Sequence, residues 1–203
     1  MRLHKKSSLF ITFGLLLLVS AIMLTTYNRI LEFNANKASN NIFEQLVNVK
    51  AETSKETFKY IDNPNVEMPV RKVYEYDCIG TLEISSLKLK LPVMSEWDYS
   101  KLRISPCRYT GSVYQNNLII CAHNYKKHFG KIKTLKVGDL VSFTDMSGNV
   151  FRFKVSDIET VKPNAPENMT SGNWDLTLFT CTVGGTSRVT VRCIRESENS
   201  FGI

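Results

Sequence analysis

The chemistry open to this sequence rests on one cysteine, one histidine and one arginine. In "LTLFTCTVGGTSRVTVRC", Leu176 to Cys193, Cys181 stands at the exit of a strand-like run and is followed by a turn containing Gly184 and Gly185. Two glycines permit unusual backbone angles and close approach of a ligand. Arg188 heads the next strand-like run, seven positions after the cysteine. If the two runs pair through the turn, both side chains share one rim. His123 ends "NLIICAH", where a strand meets a loop, the kind of place at which a rigid scaffold presents reactive groups. A thiolate is the reactive form of cysteine and is favoured by a nearby cation. An imidazole carries protons, and a guanidinium donates to a developing oxyanion without acting as a base. The three together suit acyl transfer. Arg192 rivals Arg188, since it lies four residues further on the same face of the same run, but Arg188 is nearer the turn.

Other reactive groups have a plainer reading. His4 lies near the N-terminus, and His128 sits in "NYKKHFG" beside Lys126 and Lys127, a context that predicts a solvated ring. Cys121 and His123 form the only close Cys/His pair, and no second pair completes four ligands, so no metal and no cofactor is expected. The five cysteines, at 78, 107, 121, 181 and 193, are an odd number, which leaves at least one thiol free or bonded to another molecule. Cys193 reads as a small core residue.

The elements that must position these groups begin with an anchor. Residues 1–8, "MRLHKKSS", carry positive charge, and residues 9–27, "LFITFGLLLLVSAIMLTTY", are uncharged and mostly apolar. About 20 such residues in a helix span a bilayer core, and the preceding charge predicts a cytoplasmic N-terminus with the rest outside. The expected address is therefore the cell membrane, single-pass, with an extracytoplasmic domain. A cleaved signal peptide, with Val19-Ser20-Ala21 as its cleavage region, is the competing reading. With Arg2, Lys5 and Lys6 set aside, 23 basic residues face 19 acidic ones, too mild and dispersed a balance for nucleic acid.

Residues 28–73 read as a stem, in which Ile42, Phe43, Leu46 and Val49 follow helical spacing before Pro64 and Pro69 break it. From 74 to 203 the texture changes to short alternating runs divided by Gly, Pro, Asn and Asp, with a hairpin signal at Ser147-Gly148-Asn149. This predicts a mainly β domain, a mostly antiparallel sandwich or closed barrel with few short helices.

These residues resemble the sortases, membrane-anchored cysteine transpeptidases of Gram-positive bacteria. "TLFTC", Thr177 to Cys181, is similar to the TLxTC signature of that family. "GTLEISSLKLKLPV" is similar to its first two strands, and "NNLIICAHNYKKHFGKIKTLKVGD" to its histidine segment. The resemblance implies an eight-stranded sortase barrel with Cys181, His123 and Arg188 at one rim. It implies further that Cys181 attacks a Leu-Pro-x-Thr-Gly-like sorting motif of an exported protein and forms a thioester. An amine of a lipid-linked cell-wall precursor or a pilin lysine then resolves that thioester. Thr180, Asn124 and Trp174 are candidate substrate contacts, with Pro163 and Pro166 in the same groove segment.

Departures from the family pattern leave the class open between B-like and D-like. Ala122 replaces the glycine common before the histidine, Asn124 follows it as in class B, and "KPNAPENMTSGNWD" is too short for a long inserted helix. Trp97 and Asp98 are expected to belong to an ordinary turn. An L,D-transpeptidase fits poorly, because Cys181 lacks that family's Ser-x-Gly-Cys context. The alternative of another kind is a membrane-tethered β-barrel binding module without catalysis.

Overall fold

The computed structural model describes residues 2–52, 63–163 and 167–196; Pro166 lies outside them. The chain divides into two compact units, Met1–Asn34 and Ala35–Ile203. The first consists of the beginning of helix α1 (Arg2–Glu52). An 18-residue window of this helix has a mean hydropathy of 2.0 and none of it is buried, with Phe10, Leu15, Ile22 and Met23 all exposed. Ser20 and Thr25 donate their hydroxyls to the carbonyls of Leu16 and Ala21, at 2.9 and 2.7 Å. A helix that is apolar all round, with the Ser20 and Thr25 hydroxyls bonded to its own carbonyls, is compatible with a membrane anchor.

The second unit opens with the rest of α1, where Ala35, Ser39, Ile42 and Leu46 are buried and Phe43 is half-buried. Then follow β1 (Arg71–Val73), β2 (Tyr76–Ile84), β3 (Leu89–Met94), helix α2 (Tyr99–Leu102), β4 (Cys107–Thr110) and β5 (Leu118–Ala122). After these come β6 (Leu140–Asp145), β7 (Val150–Val161), helix α3 (Glu167–Thr170), β8 (Leu176–Cys181) and β9 (Arg188–Arg195). The sheet order is β1-β2-β3-β4-β5-β8-β9-β7-β6, and β6 returns to pair with β2. Strands β2 to β9 thus close an eight-stranded barrel, to which β1 adds a short antiparallel extension. Closure leaves these strands without a free edge.

Two adjacencies are parallel, β3 with β4 and β5 with β8. The remaining pairs are antiparallel, in keeping with a mostly antiparallel expectation, and the second parallel pair is what assembles the site. The hairpin expected at Ser147-Gly148-Asn149 joins β6 to β7. There the buried Asp145 accepts from the backbone N–H groups of Ser147 and Asn149, and from Tyr114 Oη at 2.7 Å.

Period-2 alternation sorts the strands. Leu118, Ile120 and Ala122 of β5, with Leu176 and Leu178 of β8, join Phe143, Phe153 and Val191 in the barrel core. A second apolar cluster lies on the outer face, where Ile42 and Leu46 of α1 pack with Cys78, Met94, Cys107 and Cys121. Ser39 and Ser105 share a buried hydrogen bond at 3.1 Å beside it. The part of α1 from Ala35 onward is therefore packed on the barrel. Burying Ile42 and Leu46 contributes roughly 1.5–3 kcal/mol each.

Candidate active site

Strand register sets the site. In the parallel pair β5–β8, Cys121 faces Phe179 and Ala122 faces Thr180, so the next residues, His123 and Cys181, leave their strands side by side. In the antiparallel pair β8–β9, Cys181 faces Arg188 directly. The thiol is thus flanked by the imidazole on one neighbouring strand and the guanidinium on the other. All three line one cleft of about 190 Å³. Thr180, buried in the same place, donates its hydroxyl to Ala122 O at 2.7 Å and locks the β5–β8 register.

The turn after Cys181 is built as its sequence predicts. Gly184 and Gly185 have φ of 84° and 73°, values that a side chain would strain. Thr182 and Ser187 close the turn through a backbone bond of 3.0 Å. Arg188 Nη1 donates to the carbonyls of Gly185 and Ser187 at 3.1 and 3.2 Å. Among the described residues its other guanidinium N–H groups are not engaged, and five such donors are available to an arginine.

His123 is half-buried, with its ring centroid 4.9 Å from that of Tyr125. Burial, and then the charge of Arg103, hold its pKa below the ordinary imidazole value. Both influences favour the neutral ring, the form that can accept a proton. His128 is not solvated, contrary to its lysine-flanked sequence context. It is fully buried, packs against Tyr125 with ring centroids 5.5 Å apart and the planes tilted by 54°, and neither ring nitrogen has a hydrogen-bond partner among the described residues. Burial first, and the neighbouring His123 second, push it down to about 4. The loop's own turn brings it inside: Tyr125 O accepts from the N–H groups of both His128 and Gly130 at 2.9 Å, and Phe129 beside it enters the core.

The cysteines separate cleanly. Cys78, Cys107, Cys121 and Cys193 are buried and only Cys181 is partly exposed. Burial pushes Cys78, Cys121 and Cys193 up to about 12 and Cys107 higher still. Such thiols are inert. Arg192, the sequence's rival to Arg188, is not at the rim: it faces Thr177, four residues back along β8, and is buried against Glu159 and Met169. No cluster of three or more metal-ligating side chains occurs among the described residues.

Around the thiol the cleft is aromatic. Trp97, Tyr109 and Phe179 form a row, with ring centroids 5.7 and 5.3 Å apart. Trp97 is 41% exposed and is a cleft wall, not part of an ordinary turn; Asp98 caps α2 beside it by accepting from the N–H groups of Ser100 and Lys101. Phase could have found Phe179, two residues before Cys181. Trp97 and Tyr109 reach the cleft through long-range pairing and carry no local signal. Pro163 and Met169 also line the cleft. Trp174 instead lines a neighbouring depression with Gly111 and Asn117. Asn124 follows His123 and is half-buried, outside the residues that line the cleft.

The family model of the Sortase domain matches residues 82–196. The chain belongs to the sortase family. Among solved structures, sortase A from Corynebacterium diphtheriae is similar with a TM-score of 0.60 and 18% identity, covering 83% of this chain and 98% of that one. Sortase C-1 from Streptococcus pneumoniae follows the same fold with a TM-score of 0.57 and 21% identity, over 76% of this chain and 98% of that one. The Clostridium perfringens sortase D5 transpeptidase gives 0.56 and 18%, over 79% and 97%. No match was found among curated proteins. The similar structures span classes A, C and D, so the class of this sortase stays open, and family membership implies a cysteine transpeptidase.

Proposed function

We propose that this sortase cleaves a Leu-Pro-x-Thr-Gly-like sorting motif near the C-terminus of exported proteins and passes the acyl group to an amine. Cys181 is the nucleophile. His123 takes the thiol proton as the sulfur attacks the scissile carbonyl, and Arg188 donates to the oxyanion that forms. Collapse expels the leaving amine, which receives the proton from His123, and leaves a thioester on Cys181. An amine of a lipid-linked peptidoglycan precursor or a pilin lysine then attacks the thioester and gives its excess proton to His123, which passes it to the departing sulfur as the new amide forms and the thiol is restored. The N-terminal helix anchors the enzyme at the cell membrane with its catalytic domain outside.

The observation that carries this reading is the double register of Cys181, beside His123 through β5–β8 and opposite Arg188 through β8–β9, at the single partly exposed thiol. Thr180 contributes by fixing that register, while Asn124 and Trp174 stand as candidate substrate contacts. The test uses the full-length chain in detergent with a library of pentapeptide sorting motifs, with and without an amine acceptor. Motif-dependent cleavage, amide formation with the acceptor and a trapped acyl-enzyme are expected. Cleavage that persists in Cys181→Ala would sink the mechanism, and the absence of any cleavage would favour the binding-module alternative.

A further inference from the structure

Arg192 is the largest fully buried side chain among the described residues, at 1% exposure. A buried guanidinium is costly unless its donors are met, and here they reach three different elements. Nε donates to Glu159 Oε1 of β7 at 2.9 Å, while Nη1 donates to Thr177 Oγ1 of β8 at 3.2 Å and to Met169 O of α3 at 2.8 Å. Met169 lines both the Cys181 cleft and the depression that holds Trp174, so it is the wall between them. A helix of one turn has no cooperative stability of its own, so α3 depends on anchors from the barrel. Arg192 supplies one through the Met169 carbonyl. Thr190, two residues away on the same face of β9, supplies another to the Met169 sulfur at 3.7 Å. Alternate residues of one strand thus serve the site in two ways: Arg188 lines the cleft, and Thr190 with Arg192 holds its wall.

We propose that Arg192 is a positioning residue that fixes the Met169 wall of the peptide cleft, and so governs peptide binding without touching the reacting atoms. The proposal rests on the peptide-transfer reading above. A planar fork is required for the task, because a lysine ammonium cannot hold Glu159, Thr177 and the Met169 carbonyl in one geometry.

The test compares wild type, Arg192→Met, Arg192→Lys, Met169→Ala and the Arg192→Met/Met169→Ala double variant as full-length protein in detergent. With a cleavable sorting peptide, Arg192→Met is expected to raise KM about tenfold with kcat held within about twofold, the signature of lost binding rather than lost chemistry. Arg192→Lys falls between it and wild type. Met169→Ala raises KM similarly, and the double variant adds little to it, since both changes remove one wall. A fall in kcat at unchanged KM, or unchanged KM in all variants, would overturn the proposal.

A second readout needs no peptide turnover. Cys181 is the one partly exposed thiol, so its alkylation rates by iodoacetamide and by a bulky pyrenyl maleimide report access across the wall. Loss of the tether is expected to raise the bulky-to-small rate ratio at least about threefold, the small reagent being unaffected. An unchanged or lower ratio overturns the proposal even if wild type cleaves no peptide, whereas failure of cleavage with the ratio still raised would count against the peptide reading alone.

Discussion

Two stretches of the same outer sheet face meet opposite fates. On one side, Cys78 and Cys107 are buried in the apolar cluster that holds Ile42 and Leu46 of α1, and Cys121 belongs to that cluster while also lining the floor of the cleft. At the rim, Cys181 stands in an open cleft, although its strand neighbour Phe179 is paired with Cys121 itself. Residue type is identical and the strands are adjacent. What differs is the cover, and cover decides whether a thiol is packing material or a nucleophile.

The largest effect that separates the two stretches is on turnover. Cys181→Ala is expected to abolish peptide cleavage by at least about a thousandfold, whereas Cys121→Ala retains cleavage within an order of magnitude and lowers the melting temperature instead. Equal losses in the two variants, measured by steady-state cleavage and thermal melts, would erase the distinction.

Removing the cover is the next test. Ile42→Ala and Leu46→Ala are each expected to cost about 2–5 kcal/mol in urea unfolding, because each leaves a cavity over the sulfur cluster. Reactivity of Cys78, Cys107 and Cys121 toward a coloured disulfide reagent should rise in native buffer. Unchanged stability in both variants would mean that the stem contributes nothing to this face.

His128 extends the comparison to a second buried reactive group. Its ring is held neutral, with its pKa at about 4 in the folded chain against an ordinary value of about 6.5. Between those values the unfolded chain binds the extra proton, so the stabilising contribution is full above pH 6.5 and is lost as pH falls toward 4. The loss amounts to up to roughly 3 kcal/mol. His128→Phe should flatten that part of the stability curve, and a wild-type curve already flat between pH 6.5 and 4 would contradict the burial.

The smallest expected change is at the aromatic wall. Trp97→Ala should raise the KM for a sorting peptide by a few-fold, about 1 kcal/mol, with kcat unchanged. A loss in kcat would place Trp97 closer to the chemistry than its ring stacking indicates.

Much of the site was legible because it is local. Cys181, the glycine turn and Arg188 lie within eight residues, and antiparallel pairing across a short turn made their approach predictable. The barrel was legible from alternating runs, and the family signature around Cys181 agreed with it. The neighbour relation of His123 was not legible from spacing, because it depends on a parallel pairing between strands far apart in the chain. Nor were the burials of His128 and Arg192. Lysines flank the first, and the second shares a strand face with the partly exposed Arg188. The first is carried inside by the turn of its own loop, and the second is covered by the α3 segment and Glu159, which are distant in sequence.

The hydrogen bond from Thr180 to Ala122 joins residues 58 positions apart, one step before the thiol and the imidazole. It makes the spacing of Cys181 and His123 a property of two adjacent backbones and not of the chain between them. Loops inside that interval, such as the β6–β7 hairpin, can therefore be lengthened, shortened or exchanged for grafted sequences while the reacting pair keeps its distance. For an engineer seeking a new specificity, the exposed loop positions of this interval are the permissive ground, while β6, β7, the Met169 wall and the hydroxyl at its end are fixed points.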